Sequence, residues 1–320
     1  MKIKKIVHLL FYAFAINSIS IAQTDSIVKA KILDDGSQDA EKFYNKGIAN
    51  FASKNFKGAL SEFDSAITAK PEFEKAYYNR GSTKFEMKNY KGAIADFDKS
   101  LILVQNPDSY FSRGQAKYAL ADKTGASADY SKAIEIKSDY AQAYYYRGGI
   151  KFENDDYKGA VDDFSQAVRI KPDYAYAFND RGSAKRMLGD IDGAIADYNK
   201  ALAANSKLDF TYNNIASAKR KKGDSKGAIS DYTEAIKLKG NYYIAYNNRG
   251  SAKYDSGDYQ GAIEDFTKAI ELKTDYAFAF NNRATAKFKL KDYKGSVEDC
   301  TKAIQLNSSY GYSYLNRGIA

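Results

Sequence analysis

The chain of 320 residues has no tryptophan, one cysteine, one histidine and three prolines. Each scarcity excludes something. A single cysteine, Cys300, forbids an intramolecular disulfide, so any fold here is held by packing alone. The only histidine, His8, lies in the one long apolar run, which leaves the rest of the chain without the side chain most used for proton transfer near neutral pH. No Gly-x-Ser-x-Gly elbow and no phosphate-cradling glycine pattern occurs. Catalysis within these residues is therefore not expected, and neither a metal nor a cofactor is called for.

That apolar run is Ile6 to Ile16, too short for a comfortable membrane span and followed by Asn17, Ser18 and Ser20. Preceded by Lys2, Lys4 and Lys5 and closed by Ser20-Ile21-Ala22, it reads as an export signal over residues 1–22, with Gln23 as the new N-terminus. An uncleaved anchor is the weaker alternative. The expected location is the periplasm, the cell envelope or outside the cell. Residues 23–39, with Asp34-Asp35-Gly36-Ser37, read as a flexible polar lead-in. Without the signal the chain carries 46 basic and 40 acidic residues, a mild excess of +6.

What the chain does have is repetition. A small residue recurs at Gly47, Gly81, Gly114, Gly148, Gly182, Ala216, Gly250, Ala284 and Gly318, in steps of 34 with one step of 33. A second series keeps phase with it: Gly58, Gly92, Gly125, Gly159, Gly193, Gly227, Gly261 and Gly295. Two phase-locked series mean a stack of similar supersecondary units, because one such unit cannot bury its own apolar face. Eight units fill 40–310, and 311–320 begin a ninth, so the sequence reads as part of a longer chain. Tyrosine reaches 28 copies, which suits many shallow helix interfaces better than one deep core.

Each unit reads as two helices, for instance Glu74–Met87 and Tyr90–Val104. Between them sit Gly189-Asp190, Gly223-Asp224 and their equivalents, where glycine accepts a positive φ and aspartate caps the second helix. Gly81 and Ala93 let the two backbones approach while aromatics such as Tyr77 and Phe97 fill the gap. Gly92 and its equivalents, in the first turn of the second helix, are read as room for a neighbouring tyrosine. Cys300 occupies the slot held by Phe97, Phe164 and Phe266, a core position rather than a reactive one. An arginine before the small residue and an aspartate before the core slot predict an interhelical Arg–Asp ladder, as in Arg249 with Asp265. Unit six carries Ile215 instead, leaving Asp231 to Lys219.

The pattern Tyr77/Gly81/Ala93/Phe97, repeated as Tyr144/Gly148/Ala160/Phe164 and Tyr246/Gly250/Ala262/Phe266, resembles the tetratricopeptide repeat, of an exported bacterial kind, over roughly residues 40–320. It departs in having arginine where leucine is usual before the small residue, and in keeping the closing proline only as Pro71 and Pro172. The resemblance implies an all-α, right-handed α-solenoid of about eight tandem helix-turn-helix repeats, whose concave side binds peptides or partner proteins. On that side one slot holds Tyr44, Tyr78, Phe111 and Tyr145, then switches to Asn179, Asn213, Asn247 and Asn281. The next slot holds Asn45, Asn79, Asp180, Asn214, Asn248, Asn282 and Asn316. This asparagine ladder resembles the lining of long tetratricopeptide superhelices in which amides hold peptide backbone, since an amide both donates and accepts. The bland alternative is that these amides bond a neighbouring helix and the aromatics pack between units. The carboxylate clamp of chaperone-binding members would need cations there, and Arg186 and Arg220 are the exceptions in a row of tyrosine, asparagine and serine.

The leading expectation is thus a non-enzymatic, exported scaffold for protein or peptide partners, with no membrane span once the signal is cleaved. A second is an interaction region whose missing C-terminal continuation carries the activity. A nucleic-acid-binding solenoid is third, suggested by the row Lys84, Lys117, Lys151, Lys185 and opposed by the matching aspartates and the export signal.

Overall fold

The computed structural model describes residues 37–320; the export signal and nearly all of the lead-in lie outside them. Among the described residues there are seventeen helices and no strand. The chain divides after Ile170 into two compact units. The first holds α1 (Ser37–Ala52), α2 (Phe56–Ala69), α3 (Glu74–Glu86), α4 (Tyr90–Leu103), α5 (Pro107–Ala119), α6 (Lys123–Ile136), α7 (Ala141–Glu153) and α8 (Tyr157–Ile170). The second holds α9 (Ala175–Met187), α10 (Ile191–Ala204), α11 (Asp209–Lys221), α12 (Ser225–Leu238), α13 (Tyr243–Asp255), α14 (Tyr259–Leu272), α15 (Ala277–Lys289), α16 (Tyr293–Leu306) and α17 (Gly311–Ile319). Within each unit a helix packs on its sequence neighbours, and successive odd-numbered helices also touch. The expected pair Glu74–Met87 and Tyr90–Val104 is present as α3 and α4, and α1 begins at Ser37, just ahead of the boundary drawn at residue 40. No described helix is long and apolar enough to cross a membrane.

The turns form for the reasons the sequence gives. Gly189, Gly223 and Gly257 take φ of +91°, +85° and +87°, while Lys54, Lys88, Ala121, Asp155 and Lys291 hold the same left-handed position without glycine. The next residue caps: the Asp258 side chain accepts from the Gly261 N–H at 2.9 Å, and Asn89 from Gly92 at 3.1 Å. This corrects the reading of the second glycine series. A Cβ on Gly261 would lie 2.2 Å from the Asp258 carboxylate, so the space serves the capping side chain and not a tyrosine.

Hairpin closure follows the small-residue rule. A Cβ on Gly81 would stand 2.9 Å from the Phe97 ring, and one on Gly250 2.8 Å from Phe266, so the ring seats directly on helix backbone. Cys300 is fully buried in its core slot, and burial pushes its thiol up.

The Arg–Asp ladder stands on this frame. Arg249 grips Asp265 with two parallel bonds of 2.9 and 2.7 Å, and Lys253 adds a contact at 3.0 Å. The same bidentate grip joins Arg80 to Asp96, Arg113 to Asp129, Arg147 to Asp163, Arg181 to Asp197 and Arg283 to Asp299. Each guanidinium also lies over the ring three residues earlier, as Arg249 over Tyr246 at 5.4 Å. Where Ile215 interrupts, Asp231 reaches Lys219 at 2.6 Å, as expected. Burial tends to raise Asp197, yet hydrogen bonds from Arg181 and Lys185 hold it below the usual carboxylate value; Asp231, with Lys219 alone, is raised by burial.

Candidate peptide-binding face

The two slots singled out for ligand contact turn out to be bonded to each other. In the second unit the Asn214 Nδ2 donates to Asn179 Oδ1 at 3.1 Å, Asn248 to Asn213 at 3.1 Å, Asn282 to Asn247 at 3.0 Å and Asn316 to Asn281 at 3.0 Å. Each donor belongs to the repeat after its acceptor. The amides therefore form a row of stitches, one per repeat, along the odd-numbered helices.

The stitch sorts the asparagines into two kinds. Asn179, Asn213, Asn247 and Asn281 are buried, while Asn214, Asn248, Asn282 and Asn316 are half-buried. A buried carbonyl oxygen left without a donor would cost about 1–3 kcal/mol, which the next repeat's amide supplies. Thr211 and Ser313 add donors of their own to Asn179 and Asn281 at 3.0 and 3.2 Å. The half-buried member spends an N–H group on the stitch, and that bond fixes the orientation of the rest of its amide; Asn316 Nδ2 also reaches the Thr285 hydroxyl at 3.4 Å, and Asn248 Oδ1 accepts from Asn247 at 3.4 Å. The outer row is thus a set of oriented amides, and the inner row holds it in place.

The first unit uses the same stitch with other chemistry. Asn79 donates to the Tyr44 hydroxyl at 3.0 Å, and the Tyr78 hydroxyl meets Ser112 at 3.4 Å. Phe111 meets Tyr146 ring to ring, with centroids 5.5 Å apart. These aromatics also lean on the core: Tyr44 on Phe73 at 5.1 Å, Phe111 on Tyr140 at 5.0 Å, and the buried Tyr145 on Phe164 at 5.8 Å. Their rings pack between neighbouring helices, and the hydroxyls of Tyr44 and Tyr78 are already engaged.

Four residues past the small position, Phe85, Phe152, Tyr254 and Phe288 each meet the aromatic that opens the following helix, with centroids 5.2–5.4 Å apart. In α9 and α11 that place belongs to Arg186 and Arg220, and the following helices open on Ile191 and Ser225. The sequence identified both arginines. It did not identify the hydroxyls beside them, Ser183 and the otherwise buried Tyr198, whose oxygens are 3.2 Å apart. Among the described residues no cluster of His, Cys, Asp and Glu is arranged to hold a metal.

Tandem antiparallel hairpins, each closed by a small residue under an aromatic, define a helical-repeat protein. Family descriptions of the tetratricopeptide repeat match residues 243–276, 111–175 and 152–209, and 74–101, 211–242 and 279–310, together more than half of the chain. The chain belongs to the tetratricopeptide repeat family. A comparison with curated proteins finds no match. Among solved structures, the C-terminal part of a TPR repeat-containing protein from Cytophaga hutchinsonii is similar with a TM-score of 0.60 at 18% identity, over 75% of this chain and 98% of that one. The APC/C hetero-tetramer Cut9–Hcn1 gives 0.61 at 13% identity over 90% of this chain and 57% of that one, so this chain spans little more than half its length. YrrB, described as a TPR protein with an unusual peptide-binding site, gives 0.50 at 19% identity over 59% and 97%. At these identities the likeness is one of fold.

Proposed function

We propose that the chain is an exported, non-enzymatic scaffold that holds an extended segment of a partner protein along the outer amide row of the second unit. The family supports the coarser part, an interaction scaffold for protein or peptide partners. One observation carries the finer part: Asn214, Asn248, Asn282 and Asn316 are held in register by stitches of 3.0–3.1 Å. Amides fixed before a ligand arrives lose little side-chain freedom on binding, and the cost of ordering them is met during folding. A row with one amide per repeat offers an extended backbone both donors and acceptors without reading its side chains.

The stitch also decides which variants test the proposal. Asn213, Asn247 and Asn281 are buried, so replacing them reports chiefly on stability. Asn248→Ser with Asn282→Ser is the informative pair, because Ser112 already fills this slot in the first unit. A pull-down from cell-envelope extract with this double variant is expected to lose partners that the unaltered chain recovers; undiminished recovery argues against the amide row. Export rests on Lys2, Lys4, Lys5 and the Ile6–Ile16 run, and N-terminal sequencing of the protein from its source is expected to begin at Gln23. An N-terminus still at Met1 would remove that part.

A further inference from the structure

One slot of the first hairpin departs from the same slot in every other. Ser65 stands on α2 where the other hairpins carry a long side chain: Lys99, Lys132, Lys200, Lys268 and Lys302, with Gln166 and Glu234 in the remaining two. What such a side chain does is visible at α10, where Lys200 Nζ lies 5.8 Å from the Phe178 ring centroid. The ring in that place on α1 is Phe43, and Ser65 is too short to reach over it. The result is an open groove of about 710 Å³, the size of a ligand cleft, bounded by Phe43 of α1 and by Leu60, Ser61, Asp64, Thr68 and Ala69 of α2.

The groove is less polar than its residue names suggest. Ser65 Oγ donates to the Ser61 carbonyl at 3.0 Å and Thr68 Oγ1 to the Asp64 carbonyl at 2.8 Å, so both hydroxyls are turned back on the backbone of α2. The Asp64 carboxylate is held by Arg80 at 2.6 Å. What remains is carbon: the Phe43 ring, Leu60, Ala69, the Thr68 methyl and the Ser65 methylene. A second copy of the stack is a poor occupant, because α1 presents exposed Asp39 and Lys42 in the places of the buried Phe73 and Ala76 of α3, and burying those charges unpaired is costly.

The chain supplies an occupant of its own. Val28-Lys29-Ala30-Lys31-Ile32 alternates apolar and charged residues, the pattern of an extended segment with one face buried and the other wet. We propose that residues 28–32 lie extended in this groove, with Val28, Ala30 and Ile32 against Phe43, Leu60 and Ala69, and with Lys29 and Lys31 turned to water. The lengths agree: from Lys57 to Ala69 α2 runs about 18 Å, and five extended residues span about 14 Å. Because α1 and α2 are antiparallel, Ser37 lies at the Ala69 end of the groove. A segment running along α2 toward that end must reverse to enter α1, and Asp34-Asp35-Gly36 has the turn chemistry to do so. The lead-in is then an arm clasped to the first hairpin rather than a tether.

The test uses the full chain with the photo-reactive residue p-benzoylphenylalanine placed at Ala30 or at Lys31, irradiated, digested and read by mass spectrometry. Position 30 is expected to cross-link within its own chain to peptides of α1 or α2, about fivefold more than position 31, which faces water. Ser65→Lys, which restores the long side chain of the other hairpins, is expected to cut that cross-link by about fivefold. Val28→Asp with Ile32→Asp is expected to speed hydrogen exchange about threefold in the α1 and α2 peptides and to leave α13–α16 unchanged. The proposal is overturned if position 30 links to another chain, to the odd-numbered helices beyond α1, or to nothing. It is equally overturned if position 31 links as well as position 30, if Ser65→Lys leaves the cross-link intact, or if the Val28→Asp, Ile32→Asp variant exchanges like the unaltered chain.

Discussion

The behaviour of single residues here depends on whether a partner in the next helix answers them. Asp197 and Asp231 occupy the same slot and differ only in having or lacking an arginine opposite. Hydrogen bonds from Arg181 and Lys185 outweigh burial and lower Asp197, so its stabilisation is present at neutral pH and is lost as pH falls through that lowered value. Asp197→Asn is expected to cost about 3 kcal/mol in urea unfolding at pH 7, less toward pH 3. Asp231 is raised by burial, so its charged form is disfavoured in the fold, and that penalty is relieved as pH falls through the raised value. Asp231→Asn is expected to be neutral or stabilising at pH 7; equal losses for both variants would contradict the assignment. Cys300, buried with its thiol pushed up, is expected to resist alkylation at pH 8 until the chain is unfolded, as a mass-spectrometric time course would show. The ladder and the role of Cys300 were legible in the sequence, because each follows from one residue's place in the repeat. The stitches were not. Whether Asn248 points at Asn213 or away from it depends on the offset between neighbouring helices, which no spacing encodes.

At the scale of the element, every hairpin needs a left-handed residue between its two helices, and only three of the eight full hairpins use glycine there. Lys88 and Lys291 sit at φ of +60° and +63°, where a side chain costs about 1–2 kcal/mol. Lys88→Gly and Lys291→Gly are each expected to raise stability by about 0.5–1 kcal/mol, the glycine's own entropy taking part of the gain. Gly223→Ala is expected to lose about 1 kcal/mol. Thermal unfolding of the three variants reads both signs, and destabilisation by either lysine substitution would contradict the turn geometry. Turn and cap positions were visible in Gly189-Asp190 and its equivalents. The glycine inside the second helix was misread because its clash is with its own helix's capping side chain, three residues back, a contact that does not show as a tertiary pattern.

For the whole molecule, repetition made the fold class readable from two series of small residues, and the same repetition hid the amide stitches, since one recurring slot serves aromatic packing in the first unit and amides in the second. Aromatics at Tyr44, Tyr78, Phe111 and Tyr145 give way to Asn179, Asn213, Asn247 and Asn281 at the point where the second compact unit begins. A chain with a formal charge of +9 invites a nucleic-acid reading, but the lysine row from Lys84 to Lys287 is taken up by the ladder's aspartates, as in Lys84 to Asp96 at 2.6 Å and Lys287 to Asp299 at 2.9 Å. Binding to single-stranded RNA is accordingly expected to be weak at physiological salt; tight binding with a steep salt dependence would contradict that.

The central claim is that the outer amides touch the ligand while the inner amides only hold them. The most direct measurement is calorimetric titration of a dodecapeptide, selected from a random displayed library on the full chain, into the unaltered protein and the Asn248→Ser, Asn282→Ser variant, with thermal midpoints recorded beside each. The account predicts at least a tenfold loss of affinity with the midpoint shifted by only a few degrees. Affinity unchanged in a folded variant would contradict it.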